Sequence, residues 1–332
     1  APDTEAACAD ADAVLFSLLG HAGYSIAEKR GIPAIGLAMA PLSLTSEFPN
    51  TFLAEALPPV GPIGNRISHL VGERLIWATV GDQVQRWRQE HLGLPSVGRG
   101  GLVRQLRRQQ CPIIYGYSPT LLPAPADWGD HLTVSGYWMP APRSTWEPPE
   151  DLERFLASGP APVFAGFGSW QVTQELFANV RDACRNNDQR LVITSEGWLD
   201  GVDHQQLDLD ENVFVLDNAP HDWLFPKMAA IVHHGGSGAS HFALRSGRPS
   251  IATPTFADQF FWGTRITELG VGPRSIPRKK ITADKLTAAL DTALTDPDVQ
   301  HRAAAIGERI SSEDGIATAV SEITRLLDSE QR

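Results

Sequence analysis

The sequence predicts an α/β protein of two doubly wound, Rossmann-like domains, the first of them incomplete. Three observations carry this. Short runs rich in Val, Ile, Phe and Tyr alternate with longer stretches of helical periodicity, the pattern of parallel sheets covered by helices. A segment dense in proline (Pro140, Pro142, Pro148, Pro149, Pro160) separates two such series. The length, 332 residues, suits two domains of ordinary size. On this basis the chain divides into residues 1–140, a linker over 141–161, and a second domain over 162–332.

In the first half, strands are expected at Ala13–Phe16, Ala34–Leu37, Ile113–Tyr117 and Thr133–Trp138, with a long helix over Ile63–Leu92. Four strands are too few for a full doubly wound domain. The second half offers Val163–Gly168, Leu191–Ser195, Val213–Leu216, Ala230–His233 and Ser250–Thr253, with a weaker sixth near Val271–Ile276. Helical stretches fall at Leu176–Arg185, His241–Ser246 and Asp284–Leu294. These make a complete doubly wound unit. No solenoid repeat interrupts the pattern.

Composition narrows the function. The chain is 42% apolar and 20% charged, with a net charge of −11. An acidic balance argues against nonspecific nucleic-acid binding, which relies on clustered Lys and Arg. No apolar run reaches membrane-spanning length, which argues against stable membrane insertion. Cys8, Cys111 and Cys184 lie far apart without CxxC spacing, which favours a reducing compartment, and the expected location is the cytoplasm. The opening residues carry neither a basic start nor an apolar signal core.

Ligands of open parallel sheets bind beyond the carboxyl ends of the strands. After the fourth strand of the second half the chain reads His233-His234-Gly235-Gly236-Ser237-Gly238-Ala239-Ser240 and then turns helical. Three glycines permit close backbone approach and positive φ. The helix start offers unpaired N–H groups and a positive dipole end, together suited to phosphate. Ser237 and Ser240 add hydroxyls and His234 a ring N–H. The same residues also fit a plain tight turn. Asp258-Gln259, after the next strand, suits sugar hydroxyls, or is a solvated loop pair. Trp198 follows Gly197 at a strand end and either stacks on a base or is an ordinary part-buried Trp. Ser169 follows a loop that lacks the third glycine of a dinucleotide fingerprint. His221 touches the donor or caps its own turn.

Two rival chemistries fit parts of the sequence. Gly235-Gly236-Ser237-Gly238-Ala239 approaches the nucleophile elbow of a serine hydrolase, with Asp258 and His301 in the right chain order, but Ala replaces the last Gly. A metal-dependent transferase would want a DxD pair at a strand end. The pairs Asp10/Asp12, Asp208/Asp210 and Asp296/Asp298 lie elsewhere, so no catalytic metal is expected.

The segment Pro220–Pro273, with VFAGFGSW upstream, the linker YWMPAPRSTWEPP and YGYSPTLLPAPADW, resembles the nucleotide-sugar-dependent glycosyltransferases of the two-domain B-type fold. Within them it is most similar to sterol glucosyltransferases and bacterial antibiotic glycosyltransferases. The resemblance implies two domains facing a cleft, an acceptor-binding first domain and a donor-binding second one. It implies diphosphate contacts from Ser169, His234, Ser237, Gly238 and Ala239. His234 rather than His233 takes this role, since counting back from Asp258 reaches it without a gap. Nucleotide contacts would come from Trp198, Ala219 and His221, and sugar contacts from Asp258 and Gln259. Plant relatives carry a ribose-binding Glu where this chain has Phe242.

The implied reaction is inverting, metal-independent transfer of a hexose to a hydroxyl of a lipophilic acceptor such as a sterol, with glucose from UDP-glucose as the leading donor. A dTDP-sugar on an antibiotic or polyketide acceptor, and a noncatalytic nucleotide-sugar-binding fragment, are the alternatives. No bound cofactor is expected, the nucleotide sugar being a co-substrate. The family's first domain starts on a glycine-rich strand–turn–helix that carries the general base. This chain opens on what resembles a later unit of that domain, so the base is expected upstream of Ala1, and His21 reads as a helix residue. Phe48, Phe52, Trp77, Trp87 and Trp262 are candidates for an acceptor pocket, with ordinary core packing as the alternative for each. Val103–Arg108 is locally basic and either touches anionic lipid or is a solvated helix face.

Overall fold

Parallel strand pairing organises both halves of the chain. The computed structural model describes residues 2–18, 20–55, 57, 60–98, 100–140, 146–168, 172–194 and 209–330. Its contacts divide into two units: Ala1–Met139 together with Asp314–Arg332, and Pro140–Glu313.

The first unit runs α1 (Pro2–Ala7), β1 (Val14–Ser17), α2 (His21–Arg30), β2 (Ala34–Ala38), α3 (Gly61–Glu90), α4 (Gly101–Arg108), β3 (Ile113–Tyr115) and β4 (Leu132–Val134). Its sheet has the order β1-β2-β3-β4, every pair parallel. The long helix forms as expected. Pro62 sits in its first turn, where the missing N–H costs nothing. Its inner face is polar: Asn65, Ser68, His69 and Arg88 are buried. The Arg88 guanidinium is fully buried, donating to Ser25 Oγ at 2.7 Å and to the Glu28 carboxylate at 2.9 Å, which ties α3 to α2.

The second unit runs α5 (Glu150–Ala157), β5 (Val163–Gly166), α6 (Gln174–Asn186), β6 (Leu191–Thr194), β7 (Val213–Leu216), α7 (His221–Leu224), β8 (Ala230–His233), α8 (Ser237–Arg245), β9 (Ser250–Ala252), α9 (Asp258–Glu268), α10 (Ala283–Thr295) and α11 (Pro297–Ser311). The sheet order is β7-β6-β5-β8-β9, all parallel. Both faces are covered, so the strands read as unbroken apolar runs: β5, β6 and β8 are buried at every position. Val163, Ala165, Leu191, Ile193 and Val232 pack with α6 and α10 on one face. Phe164, Val192, Ile231, Leu224 and Phe225 pack on the other.

Three features differ from the sequence-based expectation. The sixth strand does not form. Residues 271–276 make isolated bonds to β9 (Ser250 N to Val271 O, 3.0 Å; Ile276 N to Ala252 O, 3.0 Å), and Pro273 has no N–H to extend a ladder. The proline-rich segment carries α5, whose Leu152 is fully buried, so its latter part joins the second unit. Finally, residues 162–332 do not pack as one body. A last helix, α12 (Gly315–Glu330), buries Ala319 against Ile35 and Ile114 of the first sheet, with Leu37, Trp138, Ile323, Leu326 and Leu327 around them. No helix among the described residues is long and apolar enough to cross a membrane.

Candidate functional site

Topology chooses the place. From β5 the chain moves outward through β6 and β7, then returns to β8 on the other side of β5. The carboxyl ends of β5 and β8 therefore form a switch point, where helices leave toward opposite faces and open a crevice. Gly168, after β5, and His234, after β8, meet there.

The loop after β8 is built around two histidines of opposite fate. His233 is fully buried. Its Nδ1 accepts from the Gly235 amide at 3.0 Å, so Nε2 carries the hydrogen and donates to Ser250 Oγ at 2.6 Å. Burial, with the neighbouring His234 and His221, pushes its pKa down to about 3, and it stays neutral. His234 turns the other way. Its ring lies between Gly168 and Gly236, where an added Cβ would come within 3.1 Å of Cε1 and 2.5 Å of Nε2 respectively. Glycine at both places leaves room for the imidazole. His234 Nδ1 is buried and has no hydrogen-bond partner among the described residues, and burial lowers its pKa. It is a neutral imidazole with unsatisfied polar capacity.

Gly235 takes φ +83°, and this turn brings the chain onto α8. The first in-helix bond is Ser240 N to Gly236 O at 2.9 Å, so the amides of Ser237, Gly238 and Ala239 have no carbonyl of the preceding turn to bond. His241 anchors the turn from behind: Nδ1 donates to Ser237 O at 2.6 Å, and full burial pushes its pKa to about 4.

Asp258 begins α9 after Ala257, which adopts φ 51°, ψ −133°. Its carboxylate accepts from Trp262 Nε1 at 3.2 Å, one helical turn on. Burial raises its pKa, opposed by Trp262, its own backbone amide and the Ser237 amide. One carboxylate thus joins the start of α8 to the start of α9. Gln259 is buried, and its Oε1 accepts from the amides of Thr255 (2.8 Å) and Phe256 (3.3 Å). Its carbonyl end shapes the loop, and its amide N–H groups remain for a ligand.

His221 opens α7, stacked on Phe225 at 4.3 Å and edge-on to Phe242 at 5.5 Å. Burial, then His234, pushes its pKa to about 4. Phe242 thus fills a core position rather than a polar one. Ala219 directs its methyl into the same core. Ser169 and Trp198 lie outside the described residues.

The structure therefore gathers His234, Ser237, Gly238, Ala239, Asp258 and Gln259 around the start of α8. It does not gather the acceptor candidates. Trp262 is fully buried, edge-on to His241 at 5.3 Å, and holds Asp258 instead of lining a pocket. In the first unit Trp77 packs edge-on to His21 at 6.2 Å, Phe48 lies 6.1 Å from His69, and Phe52 and Trp87 are half-buried. His21 opens α2, as a helix residue, with burial lowering its pKa. Sequence reading missed the Trp262 contact, although its Asp258–Trp262 spacing of one helical turn was visible.

The rival chemistries find other structural explanations. His301 lies exposed on α11, while the imidazole bonded to Ser237 belongs to His241. Asp296 caps α11, accepting from the amides of Asp298 and Val299. Asp210 pairs with Arg185 at 2.8 Å. No three His, Cys, Asp or Glu side chains converge among the described residues.

Known proteins share this architecture. Residues 179–326 match the model of the Erythromycin biosynthesis protein CIII-like, C-terminal domain. The chain is 36% identical over 335 aligned positions to a Sterol 3-beta-glucosyltransferase of Emericella nidulans, covering 97% of this chain and 23% of that protein. A Sterol 3-beta-glucosyltransferase of Saccharomyces cerevisiae is 34% identical over 96% of this chain and 27% of its own length. The chain thus spans about a quarter of the curated relatives it matches. Among solved structures, the glycotransferase of kitacinnamycin superposes with a TM-score of 0.72 at 22% identity, over 98% of this chain and 79% of that one. The calicheamicin glycosyltransferase CalG4 superposes at 0.67 with 19% identity, over 98% and 76%. These structures share the B-type glycosyltransferase fold with this chain.

Proposed function

From a chain whose residues 179–326 match an EryCIII-like C-terminal domain and whose relatives include sterol glucosyltransferases, we infer that this is part of a UDP-glycosyltransferase, with the donor site in its second half. The donor is UDP-glucose, and the hexose goes to a hydroxyl of a lipophilic acceptor such as a sterol. One observation carries the reading. At the sheet's switch point, a glycine-flanked neutral histidine with an unpartnered ring nitrogen stands beside the start of α8, whose Gly238 and Ala239 amides lie ahead of the first in-helix bond.

The chemistry follows from charge. The acceptor oxygen attacks the anomeric carbon, the bond from that carbon to the diphosphate oxygen breaks, and UDP leaves with the bonding electrons. The acceptor proton passes to a general base. Negative charge grows on the diphosphate, and the α8 amides with the His234 ring N–H stabilise it without a metal ion. Asp258 and the Gln259 amide hold sugar hydroxyls, which favours a fully hydroxylated hexose over a deoxysugar. Attack opposite the leaving group inverts the anomeric centre.

Calorimetry with UDP and UDP-glucose tests the donor site. Both should bind, UDP-glucose with additional affinity from the hexose. Absence of UDP binding to folded protein overturns the reading. Anomeric NMR of a product made from UDP-glucose and a sterol should show inversion, and retention would refute the mechanism.

A further inference from the structure

The first turns of α3 are inside out. Facing inward are Asn65, Ser68, His69 and Gly72; facing water are Ile63 (77% exposed), Ile67 (54%), Leu70, Val71 and Leu75 (54%). Their spacing places them on one stripe of the helix. An apolar stripe of this length on a water-facing helix marks a surface that something covers. The flank of the stripe is basic. Leu70 shares a cleft of about 470 Å³ with Arg74, Arg104 and Arg107, drawn from α3 and α4. The one carboxylate there, Glu73, is already paired with Arg107. Arg74, Arg104 and Arg108 are exposed and have no ion-pair partner among the described residues.

We propose that this face of α3, with the arginines beside it on α4, docks the protein peripherally on an anionic lipid bilayer. The apolar stripe enters the boundary between headgroups and acyl chains, and the guanidinium groups meet lipid phosphates and carboxylates. Charge argues against a second copy as the occupant, because a two-fold pairing of this face would bring two sets of arginines together. It also predicts how binding behaves. The chain as a whole carries −11 and is repelled by an anionic surface, so docking relies on the local patch and is sensitive to salt.

Vesicle flotation of the whole chain tests this. Binding should be strong on phosphatidylcholine vesicles containing about 30% phosphatidylserine and weak on phosphatidylcholine alone. It should fall at least ~tenfold in high salt. The double variant Ile63→Asn/Ile67→Asn, and separately Arg104→Gln/Arg108→Gln, should each lower vesicle affinity by about tenfold while the unfolding midpoint stays that of the parent, since these side chains are exposed. Equal binding to both vesicle types, or unchanged binding by either variant, overturns the proposal. So does a fall in midpoint, which would show the face is buried within the fold. Sedimentation showing a dimer that Ile67→Asn abolishes would assign the face to a second copy and likewise overturn it.

Discussion

In Asp258 two demands meet on one carboxylate. It is bonded to the Trp262 indole and to the Ser237 amide, the latter being among the groups proposed to receive the diphosphate. Carboxylate and phosphate are both anions and compete for that amide. Asp258→Asn is therefore expected to strengthen UDP binding by a fewfold while erasing much of the added affinity from the hexose, read by calorimetry on both ligands. Protonation matters too. Burial raises the pKa of Asp258, and the Trp262 N–H opposes this by favouring the charged form. If Asp258 holds the hexose as proposed, the added affinity of UDP-glucose over UDP is expected to be lost as pH falls through that raised pKa. Removing the N–H raises the pKa further, so in Trp262→Phe the loss begins at higher pH. His234→Ala removes the donor proposed to stabilise the leaving group. Turnover should drop by roughly 10²-fold with the fold intact by circular dichroism.

Elements set how well these groups are held. The loop from β8 to α8 rests on Gly235 at φ +83°, where an added Cβ would lie 3.0 Å from the Gln259 carbonyl oxygen. Gly235→Ala should cost about 2 kcal/mol of stability and weaken UDP binding, by urea unfolding and calorimetry. In the first unit, α2 and α3 are joined by a charge that has no access to water. Arg88→Ala removes the charged donor to Glu28 and Ser25 and opens a cavity, an expected loss of about 3 kcal/mol. Exposed Arg74→Ala should cost under ~0.5 kcal/mol in the same urea series.

The whole molecule carries an acid weakness. His233 and His241 are buried neutral, with pKa values pushed to about 3 and about 4 by burial. In the unfolded chain each titrates near 6.5. Above that value both states are deprotonated and nothing is lost. Below it the unfolded chain takes up protons that the folded protein refuses, so stability falls until the folded pKa values are reached. Each imidazole removes up to about 1.4 kcal/mol per pH unit in this window. Urea midpoints should decline from pH 6.5 toward 4, and His241→Gln should make the decline shallower.

Much of this was legible in the residues themselves. Strand positions in the second unit followed from continuous apolar runs, because burial on both faces leaves no other composition. The turn from β8 into α8 followed from glycines ahead of a helix, since backbone freedom and the amides of a helix start are local properties. Packing partners were not local. Nothing within Gly315–Glu330 says that its apolar stripe closes on Ile35 and Ile114, and nothing within Ser250 says that it receives the His233 hydrogen bond. The inward polar face of α3 reverses the usual sorting and shows only once its neighbours surround it. Local chemistry decided which segments are strands, helices and ligand loops. Three-dimensional packing decided which core each joins and which charge each polar group bears, because burial and hydrogen-bond partners come from residues far away in the chain.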